Sequence, residues 1–251
     1  MSFLSSEILD PALNEYKEKF RAEYDKYNIL IIKLYDSMNL MFSSYYYANK
    51  MQGMLDYTHE VVAAMVLKSL LGIYTSWFLT KQGFVGSARM IFRQTAEYLI
   101  IAKAILVSDN LDLAREWDKG NHIELNKMIF RKLEYPEKEE TIRFQTFWDA
   151  LCKYTHATIY AQQGDFKIED MDMDIQANFV YSIMLLNMSY NLLNSYYANE
   201  STKYYAQHYS YLTNEDRKRI IETIRLSKEF LTLEARRVIR IFNLKWKYKE
   251  H

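Results

Sequence analysis

The chain has 251 residues, 49% of them hydrophobic and 16% aromatic, and its 32 Lys plus Arg equal its 32 Asp plus Glu. That balance leaves no net field to draw the protein onto nucleic acid or an acidic membrane, and the length suffices to bury a real core. One cysteine, Cys152, excludes an intramolecular disulfide framework and a cysteine-rich zinc site.

Six Gly and two Pro in the whole chain, with few alternating runs, predict long helices joined by short connections. The opening "MSFLSSEILDPALNEYKEKF" has neither a basic n-region nor an apolar h-region, so no signal peptide and a cytoplasmic location are expected. Pro11 suits a first helical turn with Asp10 before it as cap, and the run continues without a breaker to about residue 49. Gly53 and Asp56 mark a turn, and a second helix is expected over 58–81. Gly83 and Gly86 lead into a third, ending near residue 107, after which "SDN" (108–110) can cap the next. The segment 110–134 reads as shorter helices broken at Gly120, with Asn121 and Glu124 as a capping box. Pro136 closes it. A fifth helix is expected over 137–162, then an acidic loop, "GDFKIEDMDMD", then a sixth helix to about residue 199. Asn214 is the expected cap of one last long helix reaching residue 248.

No linker-like stretch interrupts this order. The expected architecture is all-α: a single-domain helical bundle of six or seven helices over 1–251, with long core helices and 108–136 as a smaller excursion. Two segments approach the ~20 apolar residues of a membrane span. Residues 61–80 carry only Lys68 as a charge, and 179–197 carry none but hold three Asn. Buried bundle helices account for both, and no membrane span is expected.

The third helix contains a polar anomaly. In "ARMIFRQTAEYLIIA", Arg89, Arg93 and Glu97 fall within a stripe of about 80° at ~100° per residue, while apolar side chains cover most of the remaining circumference. Such a helix is buried, so the stripe faces another helix or a cleft. Burying these charges is costly unless they are paired and hydrogen-bonded. Two segments can supply partners. His156 sits at the edge of an apolar helical face in "FWDALCKYTHATIY", and Asn187, Asn191 and Asn194 form a seam in the sixth helix. Arg93, Glu97 and His156 are the candidate catalytic set, with Arg89, Asn187 and Asn191 as candidate ligand-binding residues. A satisfied network that fixes helix register is the alternative reading of the same residues.

"GSARMIFRQTAEYLIIAKAI", followed by "LCKYTHAT", resembles bacterial helical-bundle families that carry an Arg-x-x-x-Glu helix and a later Tyr-x-His at a helix end. More loosely it resembles the HEPN-like bundles of toxin and phage-defence systems. The resemblance covers about residues 60–165 and places the pattern on Arg93, Glu97 and His156. It implies a link to phage defence or mobile elements. HEPN-type proteins that cleave RNA carry Arg and then His after four to six residues, and here Arg115 and His122 in "REWDKGNH" have that spacing across a predicted helix break.

Other chemistry is absent from the pattern. No Glu-x-x-His pair supports a di-iron bundle, "EDMDMD" lacks the Gly and Glu positions of an EF-hand, and no Gly-rich phosphate loop or HExxH occurs. Acids before the sixth helix complement its dipole. No cofactor and no metal is expected. The tail "ARRVIRIFNLKWKYKEH" puts Arg236, Arg240 and Lys247 on one face, a basic end that suits RNA or an acidic partner, or a solvated face. Three functions follow. The leading one is a partner-binding bundle protein, engaging an unknown protein or itself. The second is an HEPN-like RNA-cleaving enzyme using His156 or His122 with Arg93, although charge does not favour RNA. The third is a small-ligand binder at an Arg93/Glu97 cleft.

Overall fold

The computed structural model describes residues 6–108, 111–131, 133–134, 138–152, 171–197, 200–209, 211–243 and 247–248. Among them are nine α-helices rather than six or seven: α1 (Ser6–Met51), α2 (Tyr57–Lys81), α3 (Val85–Ser108), α4 (Leu111–Asp118), α5 (Lys138–Cys152), α6 (Met171–Leu192), α7 (Glu200–His208), α8 (Asn214–Glu229) and α9 (Leu233–Asn243). Short π-helical turns occupy Leu125–Phe130 and Leu193–Tyr197. β1 (Leu133–Glu134) pairs antiparallel with β2 (Lys247–Tyr248).

α1 has 46 residues and so runs roughly 70 Å. Its buried positions, Tyr16, Phe20, Tyr24, Ile31, Leu34, Met38, Met41, Tyr45 and Ala48, repeat at three- and four-residue steps, with one seven-residue step from Tyr24 to Ile31, and give one core stripe. α2 starts where its sequence says it should: the Asp56 side chain accepts from the His59 backbone N–H at 2.8 Å. It ends at Gly83, whose φ of 87° lets Phe84 N–H reach Leu79 O and its own N–H reach Thr80 O. α2 is apolar on every side. Val62, Met65, Val66, Leu70, Ile73 and Trp77 are buried, while Leu67, Leu71, Tyr74 and Phe78 form an exposed stripe. Among the described residues it is the one helix long and apolar enough to cross a membrane, and 56% of its most apolar window is buried within the protein.

α2 and α3 approach closely because Gly72 has no side chain. A Cβ there would collide with Thr95 Oγ1 and lie 3.6 Å from Ile91 Cγ2. Alanine is the better helix former by about 1 kcal/mol, but overpacking costs about 1–3 kcal/mol. Gly72→Ala is therefore expected to lower the unfolding free energy by about 1 kcal/mol, read from the urea midpoint. A stabilised variant would mean that the two helices separate freely.

α6 lies at the centre and touches α1, α2, α3, α8 and α9. Its Phe179 stacks on Tyr27 with centroids 4.1 Å apart and meets Phe230 edge-on at 5.6 Å, so part of the aromatic excess is core. Two charged groups enter this interior from α3. One is Arg89; the other is Lys103, only 4% exposed, with Nζ 4.8 Å from the Phe242 ring.

The C-terminal third departs from expectation. α7 fills a stretch where no helix was expected, and the last helix is two, α8 and α9, broken at 230–232. The cap of α8 is Thr213 rather than Asn214: its hydroxyl accepts from Asp216 N–H, and the Asp216 carboxylate accepts from Thr213 N–H. β2 is extended where helix was expected. The capping box expected at Asn121 and Glu124 is replaced by an Asn121 Nδ2 bond to Glu116 Oε2 at 2.7 Å. The fifth helix matches expectation as far as Cys152; its remaining length lies outside the described residues.

Candidate functional site

The α3 stripe divides. Four residues advance ~40° around a helix beyond a full turn, so Arg89 and Glu97 meet different neighbours. Arg89, 8% exposed, turns to α6, where Nη2 donates to Asp174 Oδ1 at 2.5 Å and Nε to Asn178 Oδ1 at 3.2 Å. Asn178 passes its Nδ2 hydrogens to Thr80 Oγ1 at 2.9 Å and Val85 O at 3.3 Å, and Tyr16 donates to Thr80 O at 3.0 Å. Four helices are tied together by a network that uses the guanidinium internally. Asp174 belongs to the acidic run whose role looked like simple complementation of the α6 dipole. Its neighbour Asp172 does more than that too, pairing with Lys19 at 3.2 Å and accepting from Tyr24.

Arg93 and Glu97 open instead onto a cleft of about 920 Å³. Arg93 Nη1 stands 3.4 Å from Glu97 Oε2, with the side chains 29% and 19% exposed. The guanidinium carbon lies 5.1 Å from the Trp148 ring on α5. Arg93 Nε is buried and has no hydrogen-bond partner. Across the cleft, the chain leaves α4 through Gly120, whose φ of 75° lets Asn121 N–H return to Glu116 O and directs His122 to the cleft wall. Lys68, the lone charge of the stretch 61–80 within α2, lies over the Trp117 ring at 4.7 Å and forms another wall. Asp118 lines the cleft and accepts from Tyr57 at 2.8 Å.

Burial pushes the Glu97 carboxyl above its ordinary range, while Arg93 and, secondarily, His122 pull it back. Burial likewise pushes the Cys152 thiol up, with Arg93 opposing it through a hydrogen bond, so Cys152 is a poor nucleophile. The raised carboxyl fixes a sign. The stability that Glu97 lends is full below the ordinary carboxyl pKa and is lost as pH rises through the folded-state value. Glu97→Gln is therefore expected to be neutral or stabilising by up to about 1 kcal/mol at pH 7, with its advantage over wild type shrinking toward pH 4. Urea unfolding at both pH values checks this. A large loss at pH 7 would mark Glu97 as a structural anchor.

Of the residues proposed from sequence, Arg93 and Glu97 share this cleft with His122. His156 lies outside the described residues. Asn187 on α6 is buried and lines a different cleft, bonded to Ile183 O and Ser227 Oγ, and Asn191 is half-buried and lines neither. Sequence reasoning missed Lys68, Trp117 and Asp118 as cleft residues. The only signal was Lys68, a single cation in the apolar stretch 61–80. Among the described residues no group of three His, Cys, Asp or Glu could hold a metal ion. The chain matches no protein-family model, no curated protein and no solved structure.

Proposed function

We propose that the protein binds a small polar ligand in the Arg93/Glu97 cleft. The supporting observation is the unused Arg93 Nε. On one helix, Arg89 is satisfied within the protein, whereas Arg93 keeps a buried donor without an acceptor beside a desolvated carboxyl. Orphaned buried donors cost about 1–3 kcal/mol, so an external acceptor is the natural complement. A ligand fitting the walls presents an acceptor to Arg93, a donor to Glu97 and a flat face to Trp117. A thermal-shift screen of polar metabolites tests this. Wild type should gain Tm with at least one compound, a ligand at 100 times its Kd adding about 2.7 kcal/mol. Arg93→Gln and Glu97→Gln should lose the response. An empty screen, or equal shifts in both variants, would sink the reading. Adding labelled RNA tests the enzymatic alternative through cleavage abolished by His122→Ala.

The second reading, engagement of a protein partner or self-association, draws support from the exposed Leu67, Leu71, Tyr74 and Phe78 stripe of α2. A monomer by light scattering for both wild type and Leu71→Glu would remove self-association.

A further inference from the structure

We infer that α2 packs antiparallel against α2 of a second copy of this chain, about a two-fold axis at Leu71. This pairing rests on the self-association reading and adds its surface and register. Ala64, Leu67, Leu71, Tyr74 and Phe78 follow one another at alternating three- and four-residue steps, the spacing of a coiled-coil seam. At ~100° per residue they fall within about 80° of the helix circumference. All five face solvent, the four large ones being 51%, 58%, 43% and 48% exposed. Lys68, the one charge between residues 61 and 80, leans aside, with Nζ 5.9 Å from the Tyr98 ring centre and 4.7 Å from that of Trp117. The seam is therefore uninterrupted.

The way the stripe maps onto itself identifies the occupant. A two-fold axis at Leu71 brings positions equally far before and after it to the same level. The small Ala64 then meets Phe78 of the copy, and Leu67 meets Tyr74. Glu60 and Lys81 lie about one turn beyond the two ends, and neither is in an ion pair among the described residues; Glu60 Oε2 accepts only from Tyr46, at 3.0 Å. In the antiparallel pair the acid of each copy reaches the level of the other's cation, within one residue's rise of ~1.5 Å. A parallel pair would set Glu60 against Glu60. A lipid surface asks instead for cations around an apolar face, whereas this chain is neutral and the stripe ends in one charge of each sign. Four large side chains about half exposed offer roughly 400 Å² per copy, hence roughly 800 Å² across the axis. Tyr35, whose ring meets Tyr74 at 4.8 Å, and Ile32 one turn before it widen the patch on the α1 side, toward the ~1,200 Å² at which specific interfaces begin.

Light scattering of the full chain, with cysteine cross-linking, tests the pairing. A mass near twice the 30.1 kDa of one chain is expected. Leu71→Glu should raise the dimer dissociation constant at least about thirtyfold while helical circular dichroism stays unchanged. Lys81→Glu should weaken the dimer severalfold, and adding Glu60→Lys should restore it. The register is read in a Cys152→Ser background with diamide as oxidant. Leu71→Cys should give a covalent dimer by itself, and Ala64→Cys only when mixed with Phe78→Cys. A monomeric wild type overturns both the pairing and self-association. A dimer insensitive to Leu71→Glu overturns the pairing alone and leaves self-association through another surface. Self-linking of Ala64→Cys makes the pair parallel, and no link at Leu71→Cys moves the axis; either overturns the pairing. So does a monomer that floats with phosphatidylcholine vesicles and loses them on Leu71→Glu, which gives the stripe to lipid. The Lys81→Glu and cysteine variants decide the matter even if Leu71→Glu does not fold.

Discussion

Replacing Lys103 with methionine is expected to raise the unfolding free energy at pH 7 by about 2–4 kcal/mol. Lys103 is 4% exposed, and burial lowers its ammonium pKa from 10.5 to about 7. Each unit corresponds to about 1.4 kcal/mol, so a complete transfer would reach about 5 kcal/mol, which local relaxation reduces. The sign follows from proton counts. Between pH 7 and 10.5 the unfolded chain holds more protons at this site than the folded one, so wild-type stability rises with pH across that window. Lys103→Met keeps the volume, removes the charge and should flatten the rise. Urea unfolding at pH 7 and pH 9.5 measures both effects, and the upper limit stays below the tyrosines that burial raises above 10. A wild-type profile that is flat over this range would show that the ammonium finds compensation in the fold.

Arg89→Ala should act in the opposite direction, costing about 3–5 kcal/mol, because it leaves the Asp174 carboxylate, 15% exposed, without its partner and Asn178 Oδ1 without a donor. The companion variant, Arg89→Met with Asp174→Leu, removes both charges and should recover most of that loss. Equal denaturant slopes in the two variants would assign the difference to the ion pair rather than to the unfolded state. Arg93→Ala supplies the contrast. If the Arg93 cleft serves binding, its loss costs stability about 1 kcal/mol or less. A cost matching that of Arg89 would make both arginines structural and remove the ground for the proposed ligand.

This contrast also shows how far the sequence carried. The polar stripe on α3 was legible because charges at four-residue spacing interrupt an otherwise apolar circumference. Its division was not, since the ~40° drift acquires meaning only when α6 and the turn after α4 are placed around α3. Asp174 was readable as an acid in the first turn of α6 but not as the partner of a residue 85 positions earlier. The bounds of α2 were legible because Asp56 and Gly83 act locally, whereas α1 begins at Ser6, so Pro11 lies inside the helix and not in its first turn with Asp10 as cap. The break between α8 and α9 contains neither Gly nor Pro, and tertiary contact sets it. Phe230 packs on Phe179 and Tyr27, Leu231 turns inward, and Thr232 Oγ1 accepts from Ala235 N–H to restart the helix. Thr232 was the one available cue. The basic tail, whose sequence suits RNA or an acidic partner or a solvated face, carries no other cue to this break.

The length of α1 has a consequence for how the molecule opens. Its first half is fastened to α2 and α6 through Tyr16, Phe20 and Tyr24, and its last turns to α7 and the loop before α8, where Thr202 donates to Asn49 at 2.7 Å and Ser44 to Tyr211 O at 2.6 Å. Amides in the middle of this shared strut, around Leu34 to Met41, cannot exchange with solvent by releasing either end alone. They should report the slowest, global opening, while Met51 and the first turns exchange by fraying. One unbroken helix thus makes the stability of each end a property of the whole.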